Sequence, residues 1–223
     1  MSVVIAIRDE EGVIHMASDS MASNSFTDSR LDICKVNPTL DGNLLIGMVG
    51  ELALSELQYY EFLPKIMPVT ENEKVREALE KANKEFQNNL GDYEFITQVK
   101  FELKEVIEEV TAHDPKSGGG FDGELLIVFK DKMYLMSEDY SMVPIENDYY
   151  VIGSGQYHST SVMKMLNWDE DISPVDKLIS AIKLTEEHVL SVGGKIYYVN
   201  SKDCEVNEII LGVEELKKGE DDE

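Results

Sequence analysis

The sequence predicts an α+β fold in which antiparallel sheets stack on one another and helices cover them. Two observations carry this. Strand-like and helix-like segments come in separate blocks, in the order strands, helices, strands, helices, strands. Strand and helix do not alternate singly, as the crossovers of a doubly wound parallel sheet would require.

The elements follow in order. "VVIAIR" (3–8) is β-branched and apolar, "DEEG" is a turn ending in glycine, and "VIHMAS" runs back, which together spell a β-hairpin. A polar stretch from Ser20 to Arg30 separates it from a second strand pair, "DICKVN" and "NLLIGMVG", joined through Pro38, Asp41 and Gly42. From Glu51 the period changes. Leu52, Leu54, Leu57, Tyr60 and Phe62 fit one helix that stops near Pro64, and residues 71–90 and 94–112 fit two more. "DPKSGGG" breaks the pattern. Strands resume with "ELLIVFK", "KMYLMSE" and "YYVIGSG", and a helix is expected over 157–166. The next helix carries a strong start signal: Ser173 as N-cap, Pro174 at the first helical position and Asp176 in the first turn. "GGKIYYVNS" and "EVNEIILG" close the fold as a strand pair. One domain over 1–213 and an acidic, solvated tail over 214–223 are expected.

The 223 residues are enough for one substantial core. With 20 basic and 44 acidic residues, the formal charge of −24 repels phosphate backbones and anionic lipid surfaces, so neither nucleic acid nor membrane is an expected partner. No apolar run reaches the ~18 residues of a membrane helix, and no secretory leader pattern opens the chain, so the expected location is the cytoplasm. Cys34 and Cys204 lack metal-ligand spacing and fit reduced, buried thiols. His15, His113, His158 and His188 are scattered, with no helical metal-ligand pair among them. His188 fits a helix end, where the dipole favours a cation. "KSGGG" lacks the strand-to-helix setting of a phosphate loop.

The candidate chemistry starts from Asp19, which ends the first hairpin, and from Lys35, sixteen residues later. Alone they prove little, since most lysine–aspartate pairs are surface ion pairs. Their setting adds weight. The strand-first N-terminus, "GVIHMASDS", "KV" and "LLIGMVG" together resemble the N-terminal half of proteasome β-type subunits and of HslV, the peptidase of a bacterial two-component ATP-dependent protease. In that family an N-terminal threonine opens a strand, an acid ends the next, and a lysine follows sixteen residues beyond the acid. Gly50, fifteen residues beyond Lys35, falls close to the family's next glycine. "YYVIGSGQYHSTSVMKML" resembles the family's glycine–serine–glycine entry to a helix, and "VLSVGGKIYYVN" its passage into the last strands. The resemblance covers roughly residues 2–200.

The resemblance implies an N-terminal nucleophile hydrolase sandwich: two antiparallel sheets face to face with helices on both outer sides. It implies peptide hydrolysis by an N-terminal hydroxyl, with the free α-amine as proton acceptor. Lys35 would supply positive charge, Asp19 would hold it, the Gly50 amide would stabilise the oxyanion, and Ser154 would support the site. The nucleophile is the point of departure. Counting back sixteen from Asp19 gives Val3, which has no hydroxyl. Matching the strand itself gives Ser2, with Ala6 at the family's small position and Arg8 at its basic one. One extra residue in "DEEG" reconciles the counts, so Ser2 is assigned as the nucleophile, exposed by removal of Met1. Proteasome subunits carry a further serine after "GSG" and an aspartate and serine before the last glycine pair; those places fall on Gln156, Val189 and Val192. No cofactor is required. A monovalent cation on carbonyls near the last glycines would match Gly194, Tyr197 and Asn200. The implied partners are peptide or protein substrates, a homo-oligomeric ring and an ATPase unfoldase. Two other readings remain: a catalytically inactive ring subunit, and an amidase acting on a small molecule.

Overall fold

The computed structural model describes residues 2–24, 27–39, 44–51, 54, 57, 91–111 and 121–209. The helix expected over 71–90, the "KSGGG" turn, His113 and the acidic tail lie outside these residues. So does most of the helix expected before Pro64, of which Leu54 and Leu57 are described and fully buried.

Two five-stranded antiparallel sheets form the centre. The first runs β10-β1-β2-β11-β12, from β1 (Val4–Arg8), β2 (Ile14–Asp19), β10 (Tyr149–Ile152), β11 (Ile196–Asn200) and β12 (Asn207–Ile209). The second runs β5-β6-β7-β8-β9, from β5 (Val36–Pro38), β6 (Leu45–Gly50), β7 (Gly123–Phe129), β8 (Lys132–Met136) and β9 (Met142–Ile145). Three helices complete the described fold: α1 (Asp92–Thr111), α2 (Gln156–Leu166) and α3 (Pro174–His188).

Alternation along the strands assigns the layers. Val4, Ala6, Ile14 and Met16 of the first sheet meet Leu45, Val49, Leu126 and Val128 of the second, forming the core between the sheets. The opposite faces are also buried. Val3, Ile5, Ile7 and Ala17 pack under Met163, Leu178, Ala181 and Ile182 of α2 and α3. Ile46, Met48, Leu125 and Ile127 pack under Phe95, Ile96, Val99, Leu103 and Ile107 of α1. The order is thus helix, sheet, sheet, helix, the four-layer sandwich expected. β1 and β2, buried on both faces, have the near-continuous apolar sequence that such strands need.

α3 starts as its sequence predicts. Ser173 is extended (φ −62°, ψ 151°), and its Oγ accepts the Asp176 N–H at 3.1 Å. Such a cap is worth about 1 kcal/mol.

The structure departs from expectation in three places. The polar stretch after Asp19 contains β3 (Met21–Asn24) and β4 (Thr27–Asp32), which pair as a two-stranded sheet. "DICKVN" is not one strand: β4 ends at Asp32 and β5 begins at Val36. Between them the Ile33 amide donates to the Ser20 carbonyl at 2.8 Å, and the Lys35 side chain is buried against Asp19. Finally, Met142–Ile145 forms β9 at the edge of its sheet, a strand that the sequence reading does not expect.

Candidate active site

The sandwich brings the ends of β1, β2, β5, β6 and β10 to one place. Asp19 is the last residue of β2 and is fully buried; Lys35 immediately precedes β5 and is 4% exposed. Lys35 Nζ donates to Asp19 Oδ1 at 2.7 Å and to the Met21 carbonyl at 2.8 Å. Asp19 also accepts two backbone amides, Val3 on Oδ1 at 2.9 Å and Gly193 on Oδ2 at 3.1 Å. One carboxyl therefore ties together the first strand, the lysine and the passage into β11.

Burial pushes Asp19 up and Lys35 down from their ordinary pKa values, because each charged form loses its water. Their mutual attraction and the two amide donors oppose that shift. A lysine held this way loses its proton more readily than one in water.

Ser2 precedes β1 and is 6% exposed. Its N–H donates to Ser154 Oγ at 3.1 Å, and its carbonyl accepts from Ser154 Oγ and from the Gly155 N–H, both at 3.3 Å. Among the described residues its hydroxyl has no hydrogen-bond partner. Lys35 reaches this segment through Asp19 and the Val3 amide rather than by direct contact with the Ser2 hydroxyl. The Ser2 amide thus rests on Ser154 and the Val3 amide on Asp19.

Ser154 has a second partner, which no sequence spacing marks. Ser191 Oγ lies 3.1 Å from Ser154 Oγ. Val192, the next residue, packs into the core beneath α2 and α3. Gln156 begins α2, and His188 ends α3 stacked on His158, with ring centroids 5.9 Å apart.

Gly50 ends β6 and lines, with Ser2 and Ser154, a cleft of about 640 Å³. Its φ is +117°, and a Cβ there would lie 2.1 Å from the Asp122 carbonyl oxygen and 2.4 Å from Gly123 Cα. Backbone blocks both contacts, so no side chain can move aside. Gly153, with φ +94°, is similar: a Cβ would meet the Ser2 carbonyl oxygen at 2.3 Å. Gly50→Ala is therefore expected to destabilise the fold by about 2–3 kcal/mol through strain and backbone clash. An unshifted denaturant midpoint in Gly50→Ala would show that the β6–β7 end yields easily.

Among the described residues, no group of three His, Cys, Asp or Glu side chains could hold a metal ion. The cation site implied at Gly194, Tyr197 and Asn200 does not fit. Tyr197 and Asn200 both lie in β11, where residues three apart are separated by ~10 Å and turn their carbonyls to opposite sides. Likewise, no described helix is long and apolar enough to cross a membrane.

No protein-family model and no curated protein sequence matches the chain. Solved structures do match. BPH from Thiobacillus denitrificans in complex with epoxomicin has a TM-score of 0.61 at 11% identity, covering 89% of this chain and 97% of that one. The same organism's BPH, in a second structure, gives 0.61 at 12% identity, covering 89% and 96%. Eukaryotic HslV from Trypanosoma brucei gives 0.59 at 14% identity, covering 89% and 98%. At these identities the likeness shows the fold, which is the proteasome β-type and HslV-like sandwich.

Proposed function

We propose that this chain, folded like HslV and BPH, is an N-terminal nucleophile peptidase whose nucleophile is the Ser2 hydroxyl, with the α-amine exposed by removal of Met1. The observation that carries the reading is the clamp on Ser2: its nitrogen rests on Ser154 while Asp19, paired with Lys35, holds the next amide. Freed as an amine, that nitrogen has an ordinary pKa of about 7.7–8.0 and accepts the hydroxyl proton near neutral pH. Ser2 Oγ then attacks the peptide carbonyl. The Gly50 N–H and the Lys35 cation offset the negative charge that forms. Collapse breaks the C–N bond, and the α-ammonium returns its proton to the leaving amine. Water hydrolyses the remaining ester and restores the hydroxyl. No metal or cofactor takes part. The same reading places the chain in one domain over residues 1–213, in the cytoplasm, acting on peptides within a homo-oligomeric ring fed by an ATPase unfoldase.

One observation favours the alternative of a catalytically inactive ring subunit: the Ser2 hydroxyl receives no hydrogen bond from Lys35. Covalent labelling separates the two readings. Purified protein is incubated with epoxomicin, the ligand named in the T. denitrificans complex, and its intact mass is taken before and after. The expected result is loss of Met1, followed by one adduct that maps to the peptide starting at Ser2. Retained Met1, or a processed chain that takes up no label, supports the inactive subunit.

A further inference from the structure

Among the described residues the two large sheets have four edge strands, and three of them are blunted. β5 and β9 contain Pro38 and Pro144, and β12 is only three residues long. β10 is different. Its four residues, Tyr149 to Ile152, are all aromatic or β-branched, with no proline, glycine or charge among them.

The ladder to β1 shows which backbone groups of β10 are in use. The Arg8 amide donates to the Asp148 carbonyl at 2.7 Å, and Ala6 and Val4 lie opposite Tyr150 and Ile152. Antiparallel pairs alternate, so Asp148, Tyr150 and Ile152 turn their N–H and C=O toward β1. Tyr149 and Val151 turn theirs outward, where no described strand pairs with them.

A groove of about 540 Å³ runs along this edge, with α2 as its other wall. Gln156, Thr160, Lys164 and Asn167 line that wall as one stripe of the helix. Immediately after three of them come Tyr157, Met165 and Trp168, which are 84%, 77% and 83% exposed. A second stripe of large side chains therefore flanks the groove, as an interaction surface would.

Two features point to a second copy of this chain as the occupant. The open groups are self-complementary. About a two-fold axis at Tyr150, Tyr149 of one copy lies opposite Val151 of the other, and every outward N–H and C=O finds a partner. The charge also suits a contact of like with like. A chain at −24 repels its own copies. Here the only charged residues of the groove are Glu146, Asp148 and Lys164, and α2 carries no acid from Gln156 to Leu166.

We infer that two copies join edge to edge through β10. Their first sheets become one ten-stranded sheet, and the two α2 helices lie side by side over it with Tyr157 and Trp168 between them. This two-fold contact is distinct from the head-to-tail contacts that close a ring, and nothing in it depends on the chemistry at Ser2.

Amide hydrogen exchange on the full chain reads the contact residue by residue, in a concentrated sample and after dilution. The Tyr149 and Val151 amides are expected to exchange at least about tenfold more slowly in the concentrated sample. Those of Tyr150 and Ile152, bonded to β1, stay slow in both. Tyr149→Pro removes an outward donor and spares the β1 ladder, so the dimer Kd, from sedimentation, should rise at least about tenfold. Thr160→Glu with Lys164→Glu leaves β10 untouched and should weaken the dimer equally, by setting acids against their own copies. Phe101→Glu with Lys104→Glu adds the same charge to exposed positions of α1 and should leave the Kd unchanged. Fast exchange at Tyr149 and Val151 in an associated sample overturns the inference, because association then uses another face. A chain that stays monomeric at about 100 μM overturns it too. So does an equal loss in the α1 pair, since overall charge would then be the cause.

Discussion

Ser2→Ala is expected to abolish peptide turnover and to leave the fold unchanged. The two halves of this expectation come from different atoms. The Ser2 hydroxyl makes no hydrogen bond among the described residues, so its removal orphans no partner. The bonds that hold the segment use its backbone, to Ser154 and Gly155, and alanine keeps them. Stability should move by no more than about 0.5 kcal/mol, read as a denaturant midpoint. Activity should fall by on the order of 10⁴–10⁶ in kcat, the scale seen when a nucleophile is deleted and only binding remains. Ser2→Thr keeps a hydroxyl on the same carbon and is expected to retain measurable turnover. Wild-type rates in Ser2→Ala would mean that the attacking group lies elsewhere.

Lys35→Met is expected to cost both activity and stability, and a double mutant separates the two. The pair lies 2.7 Å apart with side chains 6% and 0% exposed. Removing the ammonium leaves a buried carboxylate with only the Val3 and Gly193 amides, at about 3–5 kcal/mol. Asp19→Asn in the same chain removes the stranded charge, so the double mutant should recover much of that stability. It should not recover rate, because the positive charge near the nucleophile is still missing; that loss is expected at about 10²–10³. Full activity in Lys35→Met, with Ser2 still required, would make the pair purely structural. The pH profile supplies a further check. Burial holds Lys35 below its ordinary pKa, so the cation is present at lower pH and disappears as pH rises through the depressed value. The alkaline limb of wild-type activity should therefore fall below the ~10.4 of a free lysine, and Lys35→Met should lack it.

Local signals made some of this molecule legible in sequence. The hairpin of β1 and β2 shows in its apolar runs and turn, and the start of α3 in Ser173, Pro174 and Asp176. The meeting of Asp19 and Lys35 followed from their spacing within a resemblance. What escaped lacked a local signal. β3 and β4 form a small sheet apart from the two large ones, and their sequence shows no apolar alternation. β9 contains a proline, which argues against a central strand, but β9 lies at the edge of its sheet, where proline is tolerated. Ser191 sits in a turn whose length is not set by periodicity.

The place of β1 within its sheet also sets a clock. It lies between β2 and β10, paired Val4 to Ser18 on one side and Val4 to Ile152 on the other. β1 thus waits for a partner made 148 residues later, roughly 7–30 s at ~5–20 residues per second. Until then the Ser2 backbone lacks its contacts with Ser154 and Gly155. Once β10 docks, Ser154 and Gly155 close over the Ser2 backbone. On the reading proposed above, removal of Met1 is therefore expected during synthesis, before β10 docks.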